Sequence, residues 1–88
     1  MPTISIFFGI VVQMYWNDHN PPHLHAIYQG YKAIFEIQTG EMIGGSMPPG
    51  VRRVLSEWTL RHRDELMENW ERGRLQRPFQ TIRGADEE

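Results

Sequence analysis

Three of the four histidines in this 88-residue chain lie in one short stretch, Asn17-Asp18-His19-Asn20-Pro21-Pro22-His23-Leu24-His25, wrapped around a diproline. Imidazole is the side chain whose ordinary pKa falls near neutrality, and its neutral ring is the commonest metal ligand. Such a cluster marks a place where something is bound, protonated or sensed, and three chemistries fit it. In the first, a divalent metal such as zinc is held. His23 and His25 are two positions apart on a predicted strand and share a face, His19 folds back from the loop, and Glu36 supplies an oxygen. The spacing matches no established string such as H-E-x-x-H. In the second, His19 and His23 work without metal as base and acid on a phosphodiester, with Glu36 orienting His23 and arginines clamping the anion. In the third, the imidazoles donate to loop carbonyls, fix the turn and bind nothing.

The elements that must position these residues change period once along the chain. Thr3 to Phe8 alternates, with Ile4, Ile6 and Phe8 on one side. After Gly9, a tight turn or a kink, Ile10, Val12, Met14 and Trp16 alternate against Val11, Gln13 and Tyr15. The Asn-Asp-His-Asn-Pro-Pro segment cannot continue a ladder, because proline lacks the donor and Asx residues favour turns. The next hairpin is the best-defined element: His23 to Tyr28 and Tyr31 to Gln38 flank the two-residue turn Gln29-Gly30. That register pairs Leu24 with Phe35, Ala26 with Ala33 and Tyr28 with Tyr31 on an apolar face. It puts His25 opposite Ile34, and His23 opposite Glu36, on the other face. Glu41 to Ile43 turns back as a short edge strand.

Pro48-Pro49-Gly50 opens helical structure, since proline suits a first turn. Val51, Val54, Leu55, Trp58 and His62 then share a face. Leu66 and Trp70 extend that stripe with a rotation, which predicts a break near Arg61 to Asp64. His62, between Trp58 and Leu66, reads as a satisfied core histidine that joins the loop only if the helix packs beside it. Tyr15, Trp16 and Trp58 have the rings to stack nucleobases but read first as core. The predicted fold is α+β, a small antiparallel sheet of three to five strands covered on one face by a C-terminal helical pair. Residues 1–77 form this single domain, and residues 78–88 are an extended or frayed tail.

Composition bounds the function. The chain has no cysteine, which removes disulfides and thiolate metal sites and suits a reducing cytoplasm. The apolar run from Ile4 to Trp16 has neither a positive n-region nor the roughly 20 residues of a spanning helix, so no membrane role is expected. The net charge of -2 hides a polarity: all eight arginines lie beyond residue 50. Arginine's fork suits phosphate or carboxylate, but five acidic residues interleave with these arginines up to residue 77, and solvated helix faces explain the pattern. A nucleic-acid site would show clustered positive charge.

The chain resembles the bacterial domain-of-unknown-function 4160 family. The likeness rests on Met1-Pro2-Thr3-Ile4, Gly9-Ile10, Met14-Tyr15, Asn17-Asp18-His19 and Pro21-Pro22-His23 through His25-Ala26. It continues through Tyr31-Lys32-Ala33, Thr39-Gly40-Glu41, Pro48-Pro49, Glu57-Trp58, His62-Arg63 and Glu68-Asn69-Trp70. The chain departs from it at Gly44-Gly45-Ser46-Met47. The resemblance implies a small stand-alone prokaryotic protein, often encoded beside another small domain and sometimes labelled toxin–antitoxin-like, and it implies no established activity. The leading expectation is a cytoplasmic interaction module with a protein partner encoded nearby, its His-Pro-Pro-His loop forming the ligand or recognition site. The alternatives are a compact RNase or phosphodiesterase using His19, His23, His25 and Glu36, with or without a divalent metal, and a regulator binding RNA or DNA. A homodimer is compatible with each.

Overall fold

Two tight turns shape the sheet. Phe8-Gly9 (φ 53° and 76°) and Gln29-Gly30 (φ 45° and 85°) each place two successive residues at positive φ, the requirement of a type I′ hairpin turn, whose twist matches that of the flanking strands. Gly9 is therefore a turn and not a kink. The computed structural model describes residues 2–88. Strands β1 (Thr3–Phe7), β2 (Ile10–Gln13), β3 (His23–Tyr28), β4 (Tyr31–Glu36) and β5 (Met42–Gly45) form one antiparallel meander in sequence order. Helices α1 (Pro49–Arg61) and α2 (Arg63–Arg74) follow.

The β3–β4 register runs from His23 opposite Glu36 to Tyr28 opposite Tyr31, as the central turn predicts. Leu24, Ala26, Ala33 and Phe35 are buried against the helices together with Ile10, Val12 and Met14 of the β2 segment. On β1 the expected alternation fails. The register slips between Thr3 and Ser5, a bulge that sets two residues against one and reverses the faces beyond it. Ile4 is buried, but Ser5 and Phe7 replace Ile6 and Phe8 on the inner face, leaving Ile6 and Phe8 each 61% exposed. The Ser5 hydroxyl, carried inward by that reversal, is buried without a hydrogen-bond partner among the described residues.

The helical break falls at His62, whose φ of -107° separates α1 from α2. The hydrogen bonds His62 N–H to Trp58 C=O and Leu66 N–H to His62 C=O continue through it, so the stripe rotates without losing its ladder. Trp58, fully buried, packs its indole 4.9 Å from the Phe7 ring. Leu55, Leu66 and Trp70 complete the layer. Asp64 and Glu65 open α2, and Arg72 and Arg74 close it, in the order the helix dipole favours.

The C-terminal segment is extended through residue 84, but it does not fray. Ile82 is buried and donates its N–H to the Ile4 carbonyl, and the Trp58 indole N–H donates to the Arg83 carbonyl. Asn69, fully buried, donates to the Gln80 carbonyl and accepts from the Gln80 N–H. A short 3-10 turn at Ala85–Glu87 then brings Glu88 to Arg61 and His62. The segment is held because the Trp58 indole, the Asn69 side chain and the Ile4 carbonyl meet its backbone, while Asp86, Glu87 and Glu88 stay exposed at its end.

Four of the eight arginines are engaged within the fold: Arg72 with Glu68 and Arg74 with Glu71 along α2, Arg61 with Glu88, and Arg63 with the Gln38 carbonyl. Among the described residues no helix is long and apolar enough to cross a membrane.

Candidate metal centre

The loop between β2 and β3 is tied down at both ends. Asn17, at φ 56°, donates its N–H to the Gly73 carbonyl of α2, and the Ile37 N–H donates to the Pro22 carbonyl. Gly73 allows this close approach: a Cβ there would meet the Phe79 ring at 3.0 Å and the Tyr15 carbonyl at 3.2 Å. The Asn20–Pro21 peptide is cis. The loop returns Asp18 over the start of β3, where it meets His23 and His25.

Asp18 organises the cluster. Its Oδ1 accepts from the His19 amide at 2.9 Å, and its Oδ2 stands 2.9 Å from His23 Nε2 and 3.3 Å from His25 Nε2. One donor atom from each of these three side chains lies within 4.8 Å of the others. His23 is enclosed at 4% exposure, its ring centroid 5.3 Å from that of Trp70, whereas His25 is partly open and meets the edge of Tyr15. Burial acts to raise the Asp18 pKa. The His19 amide, the His25 hydrogen bond and the charges of His23 and His25 outweigh it and hold the carboxyl below its usual value.

The protonation of His23 is constrained from one side. Its Nδ1 lies 2.7 Å from the Pro21 carbonyl, and a carbonyl only accepts, so Nδ1 carries the proton. In the neutral ring Nε2 is then the lone-pair atom, yet it faces a carboxylate oxygen. Two acceptors at that distance require a proton or a cation between them. A metal-bound histidine characteristically donates its other ring N–H to a carbonyl in this way. The spacings also suit an ion: two ligand atoms each about 2.0–2.1 Å from a tetrahedral zinc stand about 3.3 Å apart, and less at octahedral angles. Three protein ligands leave a position free, and a zinc ion bound so would polarise a ligand or lower the pKa of its water.

The four residues singled out as ligands separate in the structure. His23 and His25 come together. His19 stays outside, its side chain 88% exposed with Nδ1 3.2 Å from Asp18 Oδ1. Glu36 is opposite His23 in register, but its carboxylate accepts from the Thr39 hydroxyl at 2.8 Å and holds the turn after β4. The carboxylate in the cluster is Asp18, which pairing across the strands does not predict. Its signal was its place in the loop: an Asx residue directly before the cluster, on a segment that prolines force to turn. His62 forms a separate arrangement, its ring between Glu65 (2.7 Å) and Glu88 (3.2 Å) and 5.1 Å from Trp58.

Neither a curated protein nor a solved structure matches the chain. A family model does, over residues 9–71, a span that runs from the first turn through the His-Pro-Pro-His loop to the helix supporting it. The chain belongs to the family described as domain of unknown function DUF4160.

Proposed function

We propose that this protein binds a divalent metal ion through Asp18, His23 and His25, and that the ion, with a coordination position open beside His25, is where it engages a ligand. The observation that carries this reading is the His23 ring, held through Nδ1 on the Pro21 carbonyl with Nε2 2.9 Å from the Asp18 carboxylate, a gap that takes a proton or a cation. Two imidazoles and one carboxylate with open positions suit zinc or ferrous iron among common ions. The cysteine-free composition fits a small bacterial protein of the reducing cytoplasm. Of the two enzyme alternatives, the arrangement favours metal-assisted over metal-free cleavage of a phosphodiester. A base and an acid must both reach the substrate, and His23 is enclosed with both ring nitrogens occupied.

A protein partner is the second reading, supported by Ile6, Phe8, Trp16 and Ile43, which are each about half exposed or more. A toxin–antitoxin-like pairing with a neighbouring gene product belongs to this reading. One experiment separates the two. Metal content is measured in the protein as purified, its melting temperature is followed with and without added zinc, and the neighbouring gene product is titrated against both forms. Metal in the native protein, or a zinc-dependent rise in Tm, supports the first reading. Absence of both, with partner binding lost in His23→Ala, supports a recognition loop without an ion.

A further inference from the structure

The uncovered sheet face holds a cleft of about 290 Å³ floored by Ile27 and Ile34, with Tyr15 and His25 at one end and Lys32 at the other. His25 thus belongs both to the candidate centre and to the wall of this cleft. On this face the pairs His25–Ile34 and Ile27–Lys32 are successive, which sets the two rows about 7 Å apart. Among the described residues no carboxylate lies within 4.0 Å of the Lys32 ammonium. The double glycine on β5 separates into two roles here. Gly45 is required by the backbone, at φ +77° with a Cβ position 2.1 Å from the Lys32 carbonyl. Gly44, opposite Ile34, is not: a Cβ there would make only ordinary contact with Ile34 at 3.7 Å. Gly45 is the β5 residue that lines the cleft, and folding does not need glycine at 44, where a larger side chain would extend beside Ile34 on the cleft's β5 side.

We propose that the cleft takes a small amphipathic organic acid. Its anionic head pairs with Lys32, its hydrocarbon body lies on Ile27 and Ile34, and its far end points to the ion held beside His25; this last element rests on the metal-binding reading above. A cleft with an apolar floor and a few convergent polar groups is the ordinary form of a small-molecule site, and an unpaired cation at one end selects the sign of the ligand.

The test uses three probes followed by amide chemical shifts: hexanoate, 1-hexanol and adipate monohydroxamate, which carries a carboxylate at one end and a metal chelator at the other. Hexanoate should saturate the signals of Tyr15, Ile27 and Ile34 at roughly millimolar concentration, as its size allows. 1-Hexanol should bind about fivefold more weakly, and Lys32→Met should bring hexanoate to the level of hexanol. Gly44→Val should weaken hexanoate about tenfold by filling the cleft, with any zinc-induced rise in Tm unchanged. On zinc-loaded protein, the monohydroxamate should gain about tenfold or more over hexanoate by joining two contacts in one molecule, and His25→Ala should remove that gain. No saturable shift with hexanoate, or equal affinity in Lys32→Met, overturns the cleft assignment whether or not zinc binds. A zinc-dependent Tm rise without the monohydroxamate gain overturns the orientation toward the ion and leaves metal binding intact. If zinc changes nothing and the purified protein holds no metal, the metal reading fails, and the hexanoate measurements still decide the cleft.

Discussion

The Asp18 carboxylate stands 2.9 Å from His23 Nε2, although one residue lies in a loop and the other begins a strand. The contact exists because Asn17 is tethered to α2 while Pro21 and Pro22 turn the chain back, so that Asp18 is carried over the ring. With His23 Nδ1 committed to Pro21, everything that happens at Nε2 happens against this carboxylate. Asp18 is accordingly the residue whose loss should most change metal binding. Asp18→Asn keeps the shape but removes the charge, and it should lower zinc affinity by about a hundredfold or more, a loss at least as large as removing an outer hydrogen-bond partner of a ligand. Glu36→Gln should leave zinc affinity unchanged. Isothermal titration of the two variants checks this, and equal losses in both would return Glu36 to the ligand set.

The pH dependence of the zinc effect separates ligands by type. Zinc should raise Tm at neutral pH by mass action, and the gain should fade below about pH 6 as protons compete for imidazole nitrogen. Asp18 cannot be the source of that fading. Its pKa is held below the ordinary carboxylate value, so its contribution is fully present above the unfolded-state pKa and is lost only as the pH falls through the lower, folded value. That window lies below about pH 4. Glu88 behaves in the same sense, lowered chiefly by its hydrogen bond from Arg61. Thermal melts from pH 4 to 8, with and without zinc, should therefore show a zinc gain that disappears well before the metal-free protein begins to unfold in acid. A gain persisting unchanged to pH 4.5 would mean that carboxylates alone hold the ion.

The hairpin and the site differ in how readily they are read from residues alone. Gln29-Gly30 between two alternating runs leaves one sensible register, so the placement of His23 opposite Glu36 follows from period and turn chemistry. The helical break at His62 is likewise legible, because Leu66 and Trp70 fall off the stripe begun by Val51. β1 is not legible in this way: a bulge between Thr3 and Ser5 leaves the composition unchanged and reverses every face after it. The role of Asp18 is not legible for a related reason. Strand pairing predicts neighbours across a ladder, whereas the meeting of Asp18 with His23 depends on where a loop lands, and that is decided by contacts to α2 many residues away. The docking of the last residues depends on Asn69 and Trp58, whose polar atoms are visible in the sequence but whose partners are backbone groups with no sequence signature.

That docking makes the C-terminal segment part of the fold. Ile82→Ala should destabilise the protein by about 2–4 kcal/mol, the range for truncating a buried isoleucine. Asn69→Ala should cost about 1–3 kcal/mol, because it strands the Gln80 N–H and C=O as well as removing two hydrogen bonds. Glu88→Gln should change stability little near neutral pH, since its bridge to Arg61 is substantially exposed. Urea denaturation of the three variants tests the ranking. A chain ending at residue 78 that unfolds at the same urea concentration as the full chain would show the segment to be dispensable.

Gly73 links α2 to the candidate centre, and its substitution pits two effects against each other. In a helix, alanine is favoured over glycine by about 1 kcal/mol. Here the added Cβ would press on the Phe79 ring at 3.0 Å and the Tyr15 carbonyl at 3.2 Å, and each must give by a few tenths of an ångström. Phe79 is a half-buried side chain of the C-terminal segment, and a small shift of its ring offsets the helical gain, so Gly73→Ala should leave global stability within about 1 kcal/mol of the starting protein. The Tyr15 carbonyl is backbone at the root of the loop, and displacing it lengthens the hydrogen bond from Asn17 N–H to the Gly73 carbonyl that holds Asp18 over His23. Zinc affinity should then fall by about tenfold, the scale for disturbing a residue that positions a ligand. Measuring urea unfolding and zinc titration on the same preparation distinguishes the two effects. Lost affinity at preserved stability shows that α2 sets the geometry of the loop, and unchanged affinity would mean that the diproline turn alone places Asp18.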